Sequence, residues 1–215
     1  MSDISLANPE KWAEIKDGVF PSEDLVLYQD DFRMVYFNPE YGPHIPYPPF
    51  DHGEGQLNHG YASTKGRPDV IEAILEMKDF PEYLDMLLRI NDSESPVESL
   101  GCEKLETELD HPRVKSEIGS YTDIAFSSPA RSESLDDYLR LALAIYEECD
   151  GLQQWWSRIE IAIQRLKHYH GVSQPWCLSI VITGHGLTPE HAREMWAVTA
   201  GKVSEACLRF DHLRV

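Results

Sequence analysis

Three histidines, His44, His52 and His59, sit close together in the chain with Asp51 and Glu54 between them. Imidazoles and carboxylates are the ligand types that zinc and iron take. The spacings, seven residues and then six, match no ligand pattern of fixed geometry. A metal site on these histidines is therefore the weaker reading. Histidines at the surface, or bonded to backbone carbonyls, are the stronger one, and no cofactor is expected.

A second candidate is Gly184-His185-Gly186, which reads as a turn between a core strand and a capped helix. Such loops collect active sites in α/β folds, and an imidazole there can act as acid or base near neutral pH. The segment is neither a nucleophile elbow nor a phosphate loop, so the plainer expectation is a tight turn that needs glycine. His168-Tyr169-His170 reads as a helix end, where residues two apart cannot share one ion. Trp155, Trp156, Trp176 and Trp196 could line a ligand cage but more commonly fill a core. Asp136-Asp137 and Glu147-Glu148 are adjacent helical pairs, whose members point about 100° apart and do not converge. No serine has the setting of a nucleophile.

These residues depend on the elements that carry them. Asn8-Pro9 reads as a helix start with a capping side chain, and Trp12 and Ile15 share its buried face. Leu25-Val26-Leu27-Tyr28 and Met34-Val35-Tyr36-Phe37 read as a hairpin around Gln29-Asp30-Asp31. Residues 38–67 hold five prolines and five glycines and keep no period, so they read as a long functional loop in which Tyr47 and Phe50 are candidate anchors. Pro68 and Pro81 each open a helix, over 68–78 and 81–91.

Residues 92–98 are a polar break. A hairpin over 99–109 and 114–127 follows, with Ile118, Ser120, Thr122, Ile124 and Phe126 on one face. Ser134 caps a helix to residue 150. A further helix is expected over 152–169. Residues 176–183 form an almost wholly apolar run, the mark of a strand covered on both faces. Thr188-Pro189 opens the last helix.

The expected fold is α+β: a small, mostly antiparallel sheet from two hairpins plus one buried strand, covered by about five helices. One domain over 1–215 is expected, with 92–98 as the only candidate boundary.

Charge is uneven. Asp and Glu number 37 against 19 Lys and Arg, a formal charge of −18. Residues 1–71 carry 12 acids and 5 bases (−7), 72–150 carry 20 and 7 (−13), and 151–215 carry 5 and 7 (+2). This balance disfavours nucleic acid and anionic membranes and suits a basic protein partner. The four cysteines, Cys102, Cys149, Cys177 and Cys207, form no metal or redox spacing and suit a reducing compartment. The first twelve residues lack the basic and apolar regions of a signal peptide, so a cytoplasmic protein is expected.

The expectation for function is an acidic binding protein of the inhibitor or immunity type, acting on a toxin or nucleic-acid-handling enzyme. Glu103, Glu106, Glu108, Asp136, Asp137, Glu147 and Glu148 would meet the partner, helped by Tyr47 and Phe50. The alternatives are a histidine-dependent enzyme, with or without a metal on His44, His52 and His59, and a structural or assembly subunit. The oligomeric state is left open.

Overall fold

The computed structural model describes residues 6–51, 57–58, 60–74, 79–152 and 155–213. In chain order the elements are α1 (Pro9–Lys16), β1 (Leu25–Gln29), β2 (Arg33–His44), β3 (Phe50–Asp51), β4 (Leu57–Asn58), α2 (Pro68–Glu72) and α3 (Pro81–Ile90). Then come β5 (Val97–Glu108), β6 (Ser116–Phe126), α4 (Pro129–Ser132), α5 (Leu135–Glu148), β7 (Ser157–Tyr169), β8 (Val172–Ser173), β9 (Trp176–Gly186), α6 (Pro189–Arg209) and a 3-10 turn, Phe210–Leu213. The fold is α+β. Among the described residues, no helix is long and apolar enough to cross a membrane.

The sheet differs from the small antiparallel one expected. Seven strands form one mixed sheet in the order β1-β2-β7-β9-β6-β5, with β8 beside β7, while β3 and β4 form a separate ribbon. β2 and β7 are the parallel pair. Both expected hairpins form, β1 with β2 and β5 with β6. Strands from before and after residues 92–98 share this one sheet. The 92–98 turn is tied down by Lys65 Nζ, which donates to the carbonyls of Asp92, Ser95 and Val97.

Two segments account for the difference. Residues expected to be a helix over 152–169 instead contain β7, the strand between β2 and β9. Ile159, Ile161 and Ile163 alternate and are completely buried, the period of two that a strand requires. The same stretch also satisfies a helical spacing, and pairing on both sides decides between them. The expected loop over 38–67 begins as the second half of β2. Its pairing with β7 is irregular between Phe37 and Tyr41, and β1 stops at Phe37. Pro39 therefore falls where a missing N–H costs little.

The helices pack on one side. Trp12, Ile71, Tyr83, Leu87, Tyr138, Leu141, Ile145, Trp196 and Val203 join Val35, Phe37, Ile161, Ile180 and Ile182 of the strands in the main core. A smaller cluster on the other side, Ile45, Leu100, Ala125, Leu166, Tyr169 and Cys177, takes no residue from a helix. Local chemistry sets the helix starts. Ser134 accepts from Asp137 N–H at 3.3 Å, and Thr188 accepts from His191 N–H at 3.2 Å. Asn8 does not cap α1; its amide donates to Val26 O at 2.9 Å and fastens the helix to β1.

Candidate functional site

Alternation along each strand assigns side chains to the two faces. On β6, Ser120 accepts from Trp196 Nε1 at 2.9 Å, and Thr122 Oγ1 meets the Tyr83 hydroxyl at 2.7 Å. Those partners belong to α6 and α3, so Ser120 and Thr122 face the helices. Glu117, Gly119, Tyr121, Asp123 and Ala125 face the other way.

Strand register then arranges this second face in rows. One row is Gly101, Asp123, Ser179, Ala162 and Tyr36; the next is Glu103, Tyr121, Val181, Glu160 and Met34. Below these lie Leu105, Gly119, Thr183 and Arg158, then Thr107, Glu117 and His185.

One end of this face is covered. Ile45, Tyr47 and Tyr61 pack on Leu100, Ala125, Leu166, Tyr169 and Cys177. Beneath them Glu98, 3% exposed, accepts from the hydroxyls of Tyr169 and of Tyr61 (3.5 Å), and His170 Nε2 lies at 3.2 Å. Burial, and then the Glu98 charge, push the Tyr61 phenol up to about 12 and the Tyr169 phenol higher still. The other end is bare: Leu105 is 65% exposed and Tyr121 38%.

Asp123 lies where cover gives way to open surface. It is 8% exposed, and its Oδ1 has no hydrogen-bond partner. Burial pushes its carboxyl up to about 6, against one hydrogen bond from Ser179. Burial, then the charges of Asp123 and Glu103, raise the Tyr121 phenol to about 12. Burial and the Asp123 charge also raise Tyr47.

The expected turn at 184–186 is instead the end of β9. Its glycines admit α6: a Cβ on Gly184 would lie 2.3 Å from Ala192 O, and one on Gly186 2.3 Å from Ala192 N. His185 points to the bare face, where its Nε2 lies 2.9 Å from Glu117 Oε2. This acid–base pair joins two strands remote in sequence. His168 and His170 sit at the end of β7 rather than on a helix.

His44 ends β2 beside His168, the two rings stacked at 4.9 Å. His52, Glu54 and His59 lie outside the described residues, and the side chains of Phe50 and Asp51 are not described. No group of three His, Cys, Asp or Glu among the described residues is placed to hold a metal ion. The tryptophans do not form a cage. Trp196 is buried against Tyr83 and Phe80, Trp176 meets Phe20 and Phe37, Trp156 meets His191, and Trp155 stands 78% exposed beside Phe32.

The acids proposed to act together occupy three places. Glu103 faces the bare surface; Glu106 and Glu108, opposite Ile118 and Ser116, project from the other face of the edge strand β5 at its exposed end. Asp136, Asp137, Glu147 and Glu148 belong to α5, which packs over β2, β7 and β9 on the helical side. α3 and α6 stand between α5 and the β5 edge. Asp136 pairs with Lys16 at 2.8 Å, and Asp137 with Arg131 at 3.6 Å and Arg140 at 3.8 Å.

Composition singles out none of Asp123, Tyr121, Ser179 and Gly101. The sequence signal for Asp123 and Tyr121 is the mixture of small, aromatic and acidic residues on the alternate positions of β6, whereas Gly101 on β5 and Ser179 on β9 join them only through strand pairing. No protein family, curated protein or solved structure matches this chain.

Proposed function

We propose that the chain is a binding protein that docks a basic protein partner on the bare half of its sheet, in the manner of an inhibitor or immunity protein acting on a toxin or nucleic-acid-handling enzyme. The observation that carries this reading is the unequal cover of the sheet. One face is filled by helices. The other leaves Leu105 and Tyr121 exposed among Glu103, Glu117 and Glu160.

Tyrosine is enriched among the residues that dominate interfaces, and exposed apolar surface rimmed by charge marks docking sites. Against four acids on the bare half of this face, Asp123 at its edge included, stands Arg158, which is already paired with Glu160 at 2.8 Å. The excess negative charge steers and selects a positive surface. A cytoplasmic site of action belongs to the same reading, since buried thiols such as Cys149 and Cys207 suit a reducing compartment.

The test is titration with purified basic proteins of the toxin and nuclease type at about 50 mM and about 500 mM salt. Binding should weaken at high salt. The double variant Leu105→Lys/Tyr121→Lys should lose at least about tenfold in affinity, while Asp136→Lys/Glu147→Lys on α5 should lose far less. No binding at low salt, or the reverse ranking of the two variants, overturns the reading.

A second reading, a histidine-dependent enzyme, is favoured by the His185–Glu117 pair. The first reading expects His185→Ala to leave partner affinity within about threefold, as a rim residue does.

A further inference from the structure

Two carboxylates are buried on the second face, and they are treated differently. Glu98 is surrounded by donors from Tyr169, Tyr61 and His170. Asp123 has Ser179 alone, and its Oδ1 is left with no partner. No cation of the described residues pairs with it. Arg158 is held by Glu160, and Lys104 lies on the opposite side of the sheet, 5.5 Å over the Phe80 ring. A buried carboxylate oxygen without a donor opposes folding unless something else supplies one.

The surroundings suit an organic cation. The positions flanking Asp123 across the sheet are Gly101 and Ser179, with Ala162 beyond. A Cβ on Gly101 would find only the Tyr47 hydroxyl, at 3.6 Å. The floor is therefore low around the carboxylate. Tyr47 and Tyr121 stand close enough for the Asp123 charge to act on both phenols. Tyr47 is lightly held, its hydroxyl 3.5 Å from Leu100 O. Carboxylate and aromatic ring together are the two groups that attract a guanidinium or ammonium.

We propose that Asp123, walled by Tyr47 and Tyr121, receives one arginine or lysine side chain of the basic partner. This deepens the reading of the bare face and rests on it. Tyr47 swings aside to uncover the buried Oδ1, the incoming N–H donates to it, the cation lies against a tyrosine ring, and the carboxylate must be ionised. The groups facing it are Tyr47 from the covering segment, Tyr121 on its own strand and Cys177 on β9, and Glu103 on β5 stands across from Tyr121.

The full chain is titrated with acetyl-arginine amide and acetyl-lysine amide, with acetyl-glutamine amide as control, while backbone amide resonances are followed. Shifts centred on Gly101, Tyr121, Asp123 and Ser179 are expected with the two cations and not with the control. Affinity should fall about tenfold between about pH 7.5 and about pH 5, as the carboxyl takes up its proton. Asp123→Asn should abolish the shifts and melt no lower than wild type. Shifts that map elsewhere, that persist in Asp123→Asn or that stay level with pH overturn the proposal.

The titration of wild type against pH keeps the test decisive even if Asp123→Asn folds poorly. A basic protein that binds the bare face equally well in wild type and Asp123→Asn refutes this inference alone. Cation binding at Asp123, with no basic protein ever bound, refutes the partner reading instead.

Discussion

Ile180 and Val181 are neighbours on β9 with opposite surroundings. Ile180 points into the helical layer and exposes nothing, whereas Val181 stands on the other face between Tyr121 and Glu160. The same contrast runs along β6. Thr122 and Ser120 meet a hydroxyl and an indole from the helices, while Asp123 across the strand is left half-bonded. On the helical face Ser120 and Thr122 are answered by Trp196 and Tyr83, and close apolar packing surrounds them, which is how a core gains stability. The bare face keeps exposed apolar surface and an unanswered carboxylate, which is surplus to folding and available for binding.

The sharpest way to break this comparison uses two glycines. A Cβ at Gly184 would meet Ala192 O at 2.3 Å and Trp196 N at 2.6 Å, but at Gly119 the nearest atom is 4.0 Å away. Gly184→Val should cost more than about 5 kcal/mol, enough to prevent folding of a protein of ordinary stability. Gly119→Val should change stability by less than about 1 kcal/mol. Soluble yield and thermal unfolding decide the matter, and similar losses from both would mean that the second face is as closely packed as the first. Next in size is the Ile180/Val181 pair. Ile180→Ala should cost about 3 kcal/mol, lowering the melting temperature by about 10 °C, against about 1 kcal/mol or less for Val181→Ala.

This two-faced design is only partly legible in the sequence. The β5–β6 hairpin and the helical side of β6 follow from the alternation of Ile118, Ser120, Thr122 and Ile124, and the start of α6 follows from Thr188-Pro189. β7 does not follow so simply, because Leu152, Trp156, Ile159, Ile163 and Leu166 fit a helical stripe as well as Ile159, Ile161 and Ile163 fit a strand. Parallel pairing of β2 with β7 is a contact between distant segments, which no local pattern announces. Asp123 was invisible for the same reason: what covers it arrives with Tyr47, from a segment that composition marks only as a loop.

A third comparison sets Asp123 against itself at two pH values. Its folded-state pKa of about 6 lies above the ordinary value of 3.8. The folded chain therefore holds this proton more tightly than the unfolded chain. The group opposes folding once it is ionised, so its contribution worsens as pH rises from about 4 through 6 and then levels off. Two pKa units correspond to about 3 kcal/mol. In denaturant titrations, Asp123→Asn should match wild type near pH 4 and exceed it by about 2–3 kcal/mol near pH 7.5. A variant less stable than wild type at both pH values would show that the carboxylate is part of the scaffold.

The smallest effects come from polar pairs, one on each face. The Tyr83 hydroxyl is enclosed with Thr122, and burial pushes its phenol well up. Tyr83→Phe leaves the Tyr121 carbonyl short of a donor and the Thr122 hydroxyl short of an acceptor in a dry place, which should cost about 1–3 kcal/mol. His185 and Glu117 are closer to water, their side chains 24% and 31% exposed. Solvent screens such a pair and satisfies either partner alone. His185→Ala should cost under about 1 kcal/mol, and a double-mutant cycle with Glu117→Ala should show coupling of about 0.5 kcal/mol that fades with salt. Coupling above about 2 kcal/mol that resists salt would place this pair in an environment as enclosed as that of Tyr83 and Thr122. The bare face would then hold a second built site, and the enzymatic reading would gain on the binding one.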